Sequence, residues 1–147
     1  HGMRQRDART ELHAFLRAAQ ARALKTVLII TGKGDTAAER DHLAATGEPA
    51  SARDIAARAA IGDAICAATL ARYEDRLARA IAHVINVLDP DVVVLGGGMS
   101  NIERLYVNVP KLWGAWVFSD RVDTRLLRNA HGDSSGVRGA AWLWGAQ

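Results

Sequence analysis

Twelve consecutive residues constrain this chain more than any others: Asp89-Pro90-Asp91-Val92-Val93-Val94-Leu95-Gly96-Gly97-Gly98-Met99-Ser100. Asp-Pro-Asp ends whatever precedes it, and four apolar residues then specify a buried strand. Three glycines follow, removing every side chain at the point where a helix should begin. A backbone without Cβ atoms can adopt positive φ and be approached closely by a ligand, and a helix start carries free N–H groups with partial positive charge. Ser100 and Glu103 have the capping-box spacing for that helix. A nucleotide or another phosphate-bearing ligand suits such a turn, with Gly96, Gly97, Gly98 and Ser100 as its contacts. The same triplet also serves a tight strand-to-helix turn that binds nothing.

The rest of the chain reads as helices and strands in α/β order. Residues 4–23 carry an amphipathic stripe of Ala8, Leu12, Phe15, Leu16 and Ala19. Thr26 to Ile30 is a β-branched run of strand length, broken by Thr31-Gly32-Lys33-Gly34-Asp35. A chain that opens on a loop and runs straight into a helix suggests that a strand has been cut away before His1. A helix over 36–46 stops at Gly47-Glu48-Pro49, and Ser51 with Asp54 opens the next. After a break at Gly62-Asp63, the longest helix carries Leu70, Tyr73, Leu77, Ile81, Val84 and Leu88. His83, Cys66 and Asn86 on or beside that stripe are expected to pack or hydrogen-bond, since no second ligand-type residue lies at helical spacing from them.

Beyond the glycines, a short helix is expected over Asn101 to Val107, and Pro110 suits the first turn of another. Leu112, Trp113, Trp116, Val117 and Phe118 give that one an apolar side, as core or interface. Val122 to Leu127 alternates like an edge strand, and a cap at Asp133 or Ser134 opens a last helix toward Trp144. The expected architecture is an α/β domain, three-layered or openly two-layered. Its strands lie near 26–30, 91–95 and 122–127. Three strands make a thin sheet, so pairing across a homodimer or higher oligomer is expected.

Composition excludes several classes. A chain of 147 residues buries roughly 68–70% of its unfolded surface, enough for one cored domain. The formal charge of +3 is spread among acidic residues and not gathered in blocks. Cys66 is the single cysteine, which removes internal disulfides and suits a cytoplasmic protein. No apolar run reaches the ~18 residues of a membrane span. Gly32-Lys33-Gly34-Asp35-Thr36-Ala37 matches a dinucleotide fingerprint. That fingerprint needs an acidic residue at the tip of the next strand, whereas Asp54 lies in helical surroundings, so a glycine turn with an exposed lysine explains it better.

Two resemblances add to this reading. Ala71-Arg72-Tyr73-Glu74-Asp75-Arg76-Leu77-Ala78, the stretch from Val87 to Asn101, Val117-Phe118 and His131-Gly132-Asp133-Ser134-Ser135-Gly136-Val137-Arg138-Gly139-Ala140-Ala141-Trp142-Leu143-Trp144 resemble the C-terminal part of ROK sugar kinases. The fructokinase and N-acetylglucosamine kinase branch is the nearest in pattern, over about 40–144. The resemblance implies an actin-like ATPase (ribonuclease H-like) lobe, with Gly96-Gly97-Gly98 lying against the adenosine of ATP. ATP with Mg would be the cofactor, and the family chemistry moves the γ-phosphate to a sugar hydroxyl. The family's Asp-Gly-Gly-Thr phosphate loop, catalytic Asp loop and zinc-binding His and Cys residues have no counterpart in these 147 residues, so no zinc is implied and the chain alone is expected to be inactive.

His1-Gly2-Met3, the Leu12 to Ala19 helix and Val27-Leu28-Ile29-Ile30-Thr31-Gly32-Lys33-Gly34 resemble the first half of an Smr (small MutS-related) domain. That likeness implies nucleic-acid contacts at His1, Gly32, Lys33 and Gly34. Together the two imply one chimeric domain, with residues 1–35 Smr-like and 36–147 kinase-derived. The three functions left open are an adenine-nucleotide-binding kinase segment, a nucleic-acid-binding or nicking module, and an inactive fusion that buries Trp113, Trp116 or Trp142 between subunits.

Overall fold

The computed structural model describes residues 27–30 and 36–129. Within them, three strands form one sheet, and helices follow the first and second strands. β1 is Val27–Ile30, β2 is Val92–Leu95 and β3 is Arg125–Arg128. The strands lie in the order β1-β2-β3, and both pairs are parallel. Val27 pairs with Val92 and Ile30 with Leu95, while Val92 pairs with Arg125 and Leu95 with Arg128. The central strand is buried along its whole length, as expected where a parallel strand is covered on both faces.

Each helix begins and ends where local chemistry demands. α1, Ala37–Thr46, starts with a full capping box, in which the Thr36 hydroxyl accepts from the Glu39 amide and the Glu39 carboxylate accepts from the Thr36 amide. It stops at Gly47, whose φ of 75° is the left-handed conformation glycine adopts without penalty. α2, Ala52–Ala60, is capped by Ser51. Glu39 also joins these two helices, because its second carboxylate oxygen accepts from the Ala52 amide at 2.7 Å. α3, Ala64–Leu88, is capped by Asp63 and closes at Asp89, a non-glycine residue at φ 45°. Asp is among the few residues that tolerate this conformation.

The core gathers on one face of the sheet. Val93 and Leu95 of β2 and Leu126 of β3 meet Ala78, Ile81, Ala82 and Ile85 of α3, together with Ile102, Leu105, Val109 and Trp113. Val92 and Val94, pointing to the opposite face, are buried as well. The α3 stripe is turned slightly from the one that spacing suggested. Cys66, Leu70, Glu74, Ala78, Ile81, Ala82 and Ile85 form its buried line, while Leu88 is exposed.

Three expectations are corrected. Pro110 does not open a second helix; α4 runs unbroken over Glu103–Leu112 with Pro110 in its last turn. A proline there removes one N–H near a helix end, and the Trp113 amide still reaches the Val109 carbonyl. β3 begins at Arg125, not Val122, because ladder bonding starts where the Arg125 amide reaches the Asp91 carbonyl. The alternation itself is sound, with Thr124 and Leu126 buried and Arg125 and Leu127 exposed. Trp113 is 4% exposed and belongs to the chain's own core, so it is not available to a subunit interface. Trp116 and Phe118 are exposed, Cys66 is a buried thiol, and Trp142 lies outside the described residues. No described helix is long and apolar enough to cross a membrane.

Candidate functional site

β2 delivers the chain into the glycine turn at the end of the sheet where Ile30 and Leu95 sit side by side. Gly96 and Gly97 are buried, and Gly98 is exposed. The first glycine with a structural demand on it is Gly97, at φ 77° and ψ −177°. This region of backbone space is essentially closed to residues with a Cβ. Gly98 differs, since its φ is not positive and a Cβ built on it meets no heavy atom within 4 Å. Neither backbone conformation nor crowding by the described residues calls for glycine at that position.

Hydrogen bonds hold the turn in one shape. The Ser100 hydroxyl, 1% exposed, donates to the Gly97 carbonyl at 2.6 Å, and the Ser100 amide donates to the same oxygen at 3.0 Å. From the end of β3, the Asn129 amide nitrogen donates to the Leu95 carbonyl at 2.9 Å and to the Ser100 hydroxyl at 2.8 Å. The Tyr106 hydroxyl, from α4, donates to the Ser100 carbonyl at 2.8 Å. Burial raises the Tyr106 phenol above its ordinary value while Arg128 opposes that shift, so the group remains a donor at neutral pH. The Arg128 guanidinium lies 5.5 Å from the Tyr106 ring centroid and pairs with Glu103, which raises its own pKa.

This geometry departs from the sequence reading in one respect. The segment after the glycines is a 3-10 turn, Gly98–Asn101, and α4 starts only after Ile102, which supplies no side-chain cap. Ser100 and Glu103 do not form a capping box. The serine hydroxyl is engaged inside the turn, and the Glu103 carboxylate faces Arg128. The structure therefore brings Gly96, Gly97, Gly98 and Ser100 together as one turn. His1, Gly32, Lys33 and Gly34 lie outside the described residues. Sequence reasoning missed both Asn129, which reaches the turn from a strand end remote in sequence, and Tyr106, which reaches back to Ser100 from α4. The signal that the sequence does carry is the serine at position 100, close behind the three glycines.

Among the described residues no group of three or more His, Cys, Asp or Glu could hold a metal ion. An open groove of about 400 Å³ between α1 and α2 is lined by Glu39, Arg40, Leu43, Pro49, Ala50, Ser51 and Asp54, and shares no residue with the glycine turn.

Comparison with known proteins covers most of the chain. A family model described as the ROK family matches residues 17–147. An N-acetyl-D-glucosamine kinase of Vibrio parahaemolyticus is 40% identical over 97 residues, which is 66% of this chain and 32% of that protein. The chain thus spans about a third of the length of the curated relatives it matches. Among solved structures, a ROK family glucokinase from Streptomyces griseus in complex with glucose and AMPPNP superposes with a TM-score of 0.58 at 21% identity, over 72% of this chain and 36% of that one. A ROK hexokinase from Thermus thermophilus superposes with a TM-score of 0.60 at 25% identity, over 71% and 35%. The family match begins well before residue 40 and takes in β1. The Smr likeness and the nucleic-acid contacts it implied gain no support from these comparisons.

Proposed function

The chain belongs to the ROK family, and from that premise we propose that it is the nucleotide-binding segment of an ATP-dependent sugar kinase. Gly98 carries the proposal. It is exposed at the mouth of the turn, and among the described residues nothing in its conformation or surroundings excludes a side chain. A missing Cβ that folding does not require leaves the backbone open to a ligand face. Gly96, Gly97 and Gly98 would hold the adenosine portion of ATP through the main chain, and Ser100 would act by fixing the turn. ATP, taken up with Mg, supplies the phosphoryl group, and a hexose of the N-acetylglucosamine kind is the acceptor that the curated relatives suggest. Phosphoryl transfer depends on positioning and on neutralising phosphate charge. A segment about a third as long as its relatives is expected to bind nucleotide with little turnover by itself.

The test is a thermal-shift titration with Mg-ATP on the chain and on Gly98→Val. Binding of nucleotide to the folded state raises the melting temperature by mass action. The expected result is a shift in the parent that Gly98→Val loses, with the two melting together when no nucleotide is present. Absence of any shift in the parent at millimolar Mg-ATP would sink the proposal.

A further inference from the structure

Asn129 joins three parts of the molecule through one amide nitrogen. It donates to the carbonyl of Leu95, the last residue of β2, and to the hydroxyl of Ser100, which in turn donates a hydrogen bond to the Gly97 carbonyl. The orientation of this amide is forced. The Leu95 carbonyl can only accept, so the nitrogen must face it, and a flipped amide would set two acceptors against each other. Its Oδ1 is buried with no hydrogen-bond partner among the described residues.

Tyr106 approaches the same serine from the other side, through the Ser100 carbonyl. Ser100 is thus clamped by β3 and α4, and Gly97 by Ser100. From this arrangement we infer that Asn129 is a positioning residue for the nucleotide: acting through Ser100, it sets the direction in which Gly97 turns the chain and hence the face that Gly98 presents. The inference rests on the reading of the glycine turn as the nucleotide site. It places the control of that site on the strand end after β3, remote in sequence from the glycines.

The experiment uses the full chain, with Asn129→Ala, Asn129→Asp, Ser100→Ala and the double variant Asn129→Ala/Ser100→Ala. Calorimetric titration with Mg-ATP is expected to show about a tenfold weaker Kd in each single variant. Because the residues act in series, the double variant is expected to be no weaker than the weaker single one. Asn129→Asp retains the shape and loses both donated bonds, so it is expected to follow Asn129→Ala. Losses that multiply in the double variant, or an unchanged Kd in Asn129→Asp, overturn the inference. Amide hydrogen exchange, read without nucleotide, provides the second arm. The Ser100 and Ile102 amides, bonded to the Gly97 and Met99 carbonyls, are expected to exchange at least tenfold faster in Asn129→Ala while the α3 amides keep their rates. If the parent binds no Mg-ATP, the nucleotide reading fails on that result, and unchanged exchange at those two amides separately removes Asn129 from control of the turn.

Discussion

Glu74 and Arg104 meet in the seam between α3 and α4, with guanidinium nitrogens 2.5 and 3.2 Å from the two carboxylate oxygens. The partners are unequally placed: the Glu74 side chain is 4% exposed and that of Arg104 35%. Asn108 adds a third bond to the carboxylate, at 3.1 Å. Removing one member of a buried pair strands the other charge, at a cost of about 3–5 kcal/mol when both are fully enclosed. Here the partial exposure of Arg104 splits that cost unevenly. Arg104→Leu leaves a buried carboxylate and is expected to destabilise by about 3 kcal/mol, the lower end of that range. Glu74→Leu leaves a guanidinium that can turn to water and is expected to cost less. Urea denaturation of both variants and of the double replacement checks this, and a double variant less stable than Arg104→Leu would refute it.

The glycine turn predicts opposite outcomes at adjacent positions. Gly97→Ala puts a Cβ where φ is 77° and ψ −177°, with an expected loss of about 1–3 kcal/mol. Gly98→Ala adds a Cβ that meets nothing among the described residues, and its stability is expected to stay within about 0.5 kcal/mol of the parent. Thermal denaturation of the two variants side by side measures the difference. Equal losses would show that the two glycines do not divide the work as described.

Acid sensitivity is expected at the start of α3. The backbone N–H of Cys66, donating to the Asp63 carboxylate, and then Arg58 lower its pKa from 3.8 to about 2. A carboxyl depressed in the folded state stabilises above its unfolded pKa, and that contribution is lost as pH falls through the folded value. The window therefore runs from about 4 down to about 2. Asp63→Asn keeps a capping oxygen and loses the charge. Stability followed across this window is expected to fall less steeply in the variant, and parallel curves would exclude Asp63 as the source.

Glu39 carries two helix starts. Its carboxylate takes the Thr36 amide at 2.6 Å and the Ala52 amide at 2.7 Å. Thr36→Ala, which removes only the hydroxyl of the capping box, is expected to cost about 1 kcal/mol. Glu39→Ala gives up both charge-assisted bonds and is expected to cost about 2 kcal/mol or more. Chemical denaturation ranks the two, and a larger loss in Thr36→Ala would show that the link to α2 contributes nothing.

What could be read from the sequence divides along the range of the interactions. Thr36, Gly47, Ser51 and Asp63 act within three or four residues of themselves, and the helix ends they specify are where local chemistry places them. The buried strand at Val92 to Leu95 and the positive φ at Gly97 are equally local, although the bonds that hold the turn are not. Glu74 occupies a core position on the α3 stripe that spacing alone would assign to an apolar residue, because its partners come from another helix. Ser100 looks like a helix cap in sequence, but its hydroxyl is claimed by Gly97 and by Asn129 from a distant strand end. Pro110 reads as a helix start until packing of Leu105, Val109 and Trp113 carries one helix through it.

The parallel pairing of β2 with two strands remote in sequence has a kinetic side. Val92 joins Val27 through one long crossover and Arg125 through another. Closing such loops is entropically costly before any strand contact rewards it, so sheets of this kind assemble slowly and late. α1, α2 and α3, whose caps are local, can form before the sheet does. Leu95 is paired in the sheet and Asn129 bonds Leu95 and Ser100 from the end of β3, so the full hydrogen-bond set of the turn closes only once the chain through residue 129 is in place. On the nucleotide reading proposed above, ligand competence would be a late property of the folding chain, acquired with the last strand.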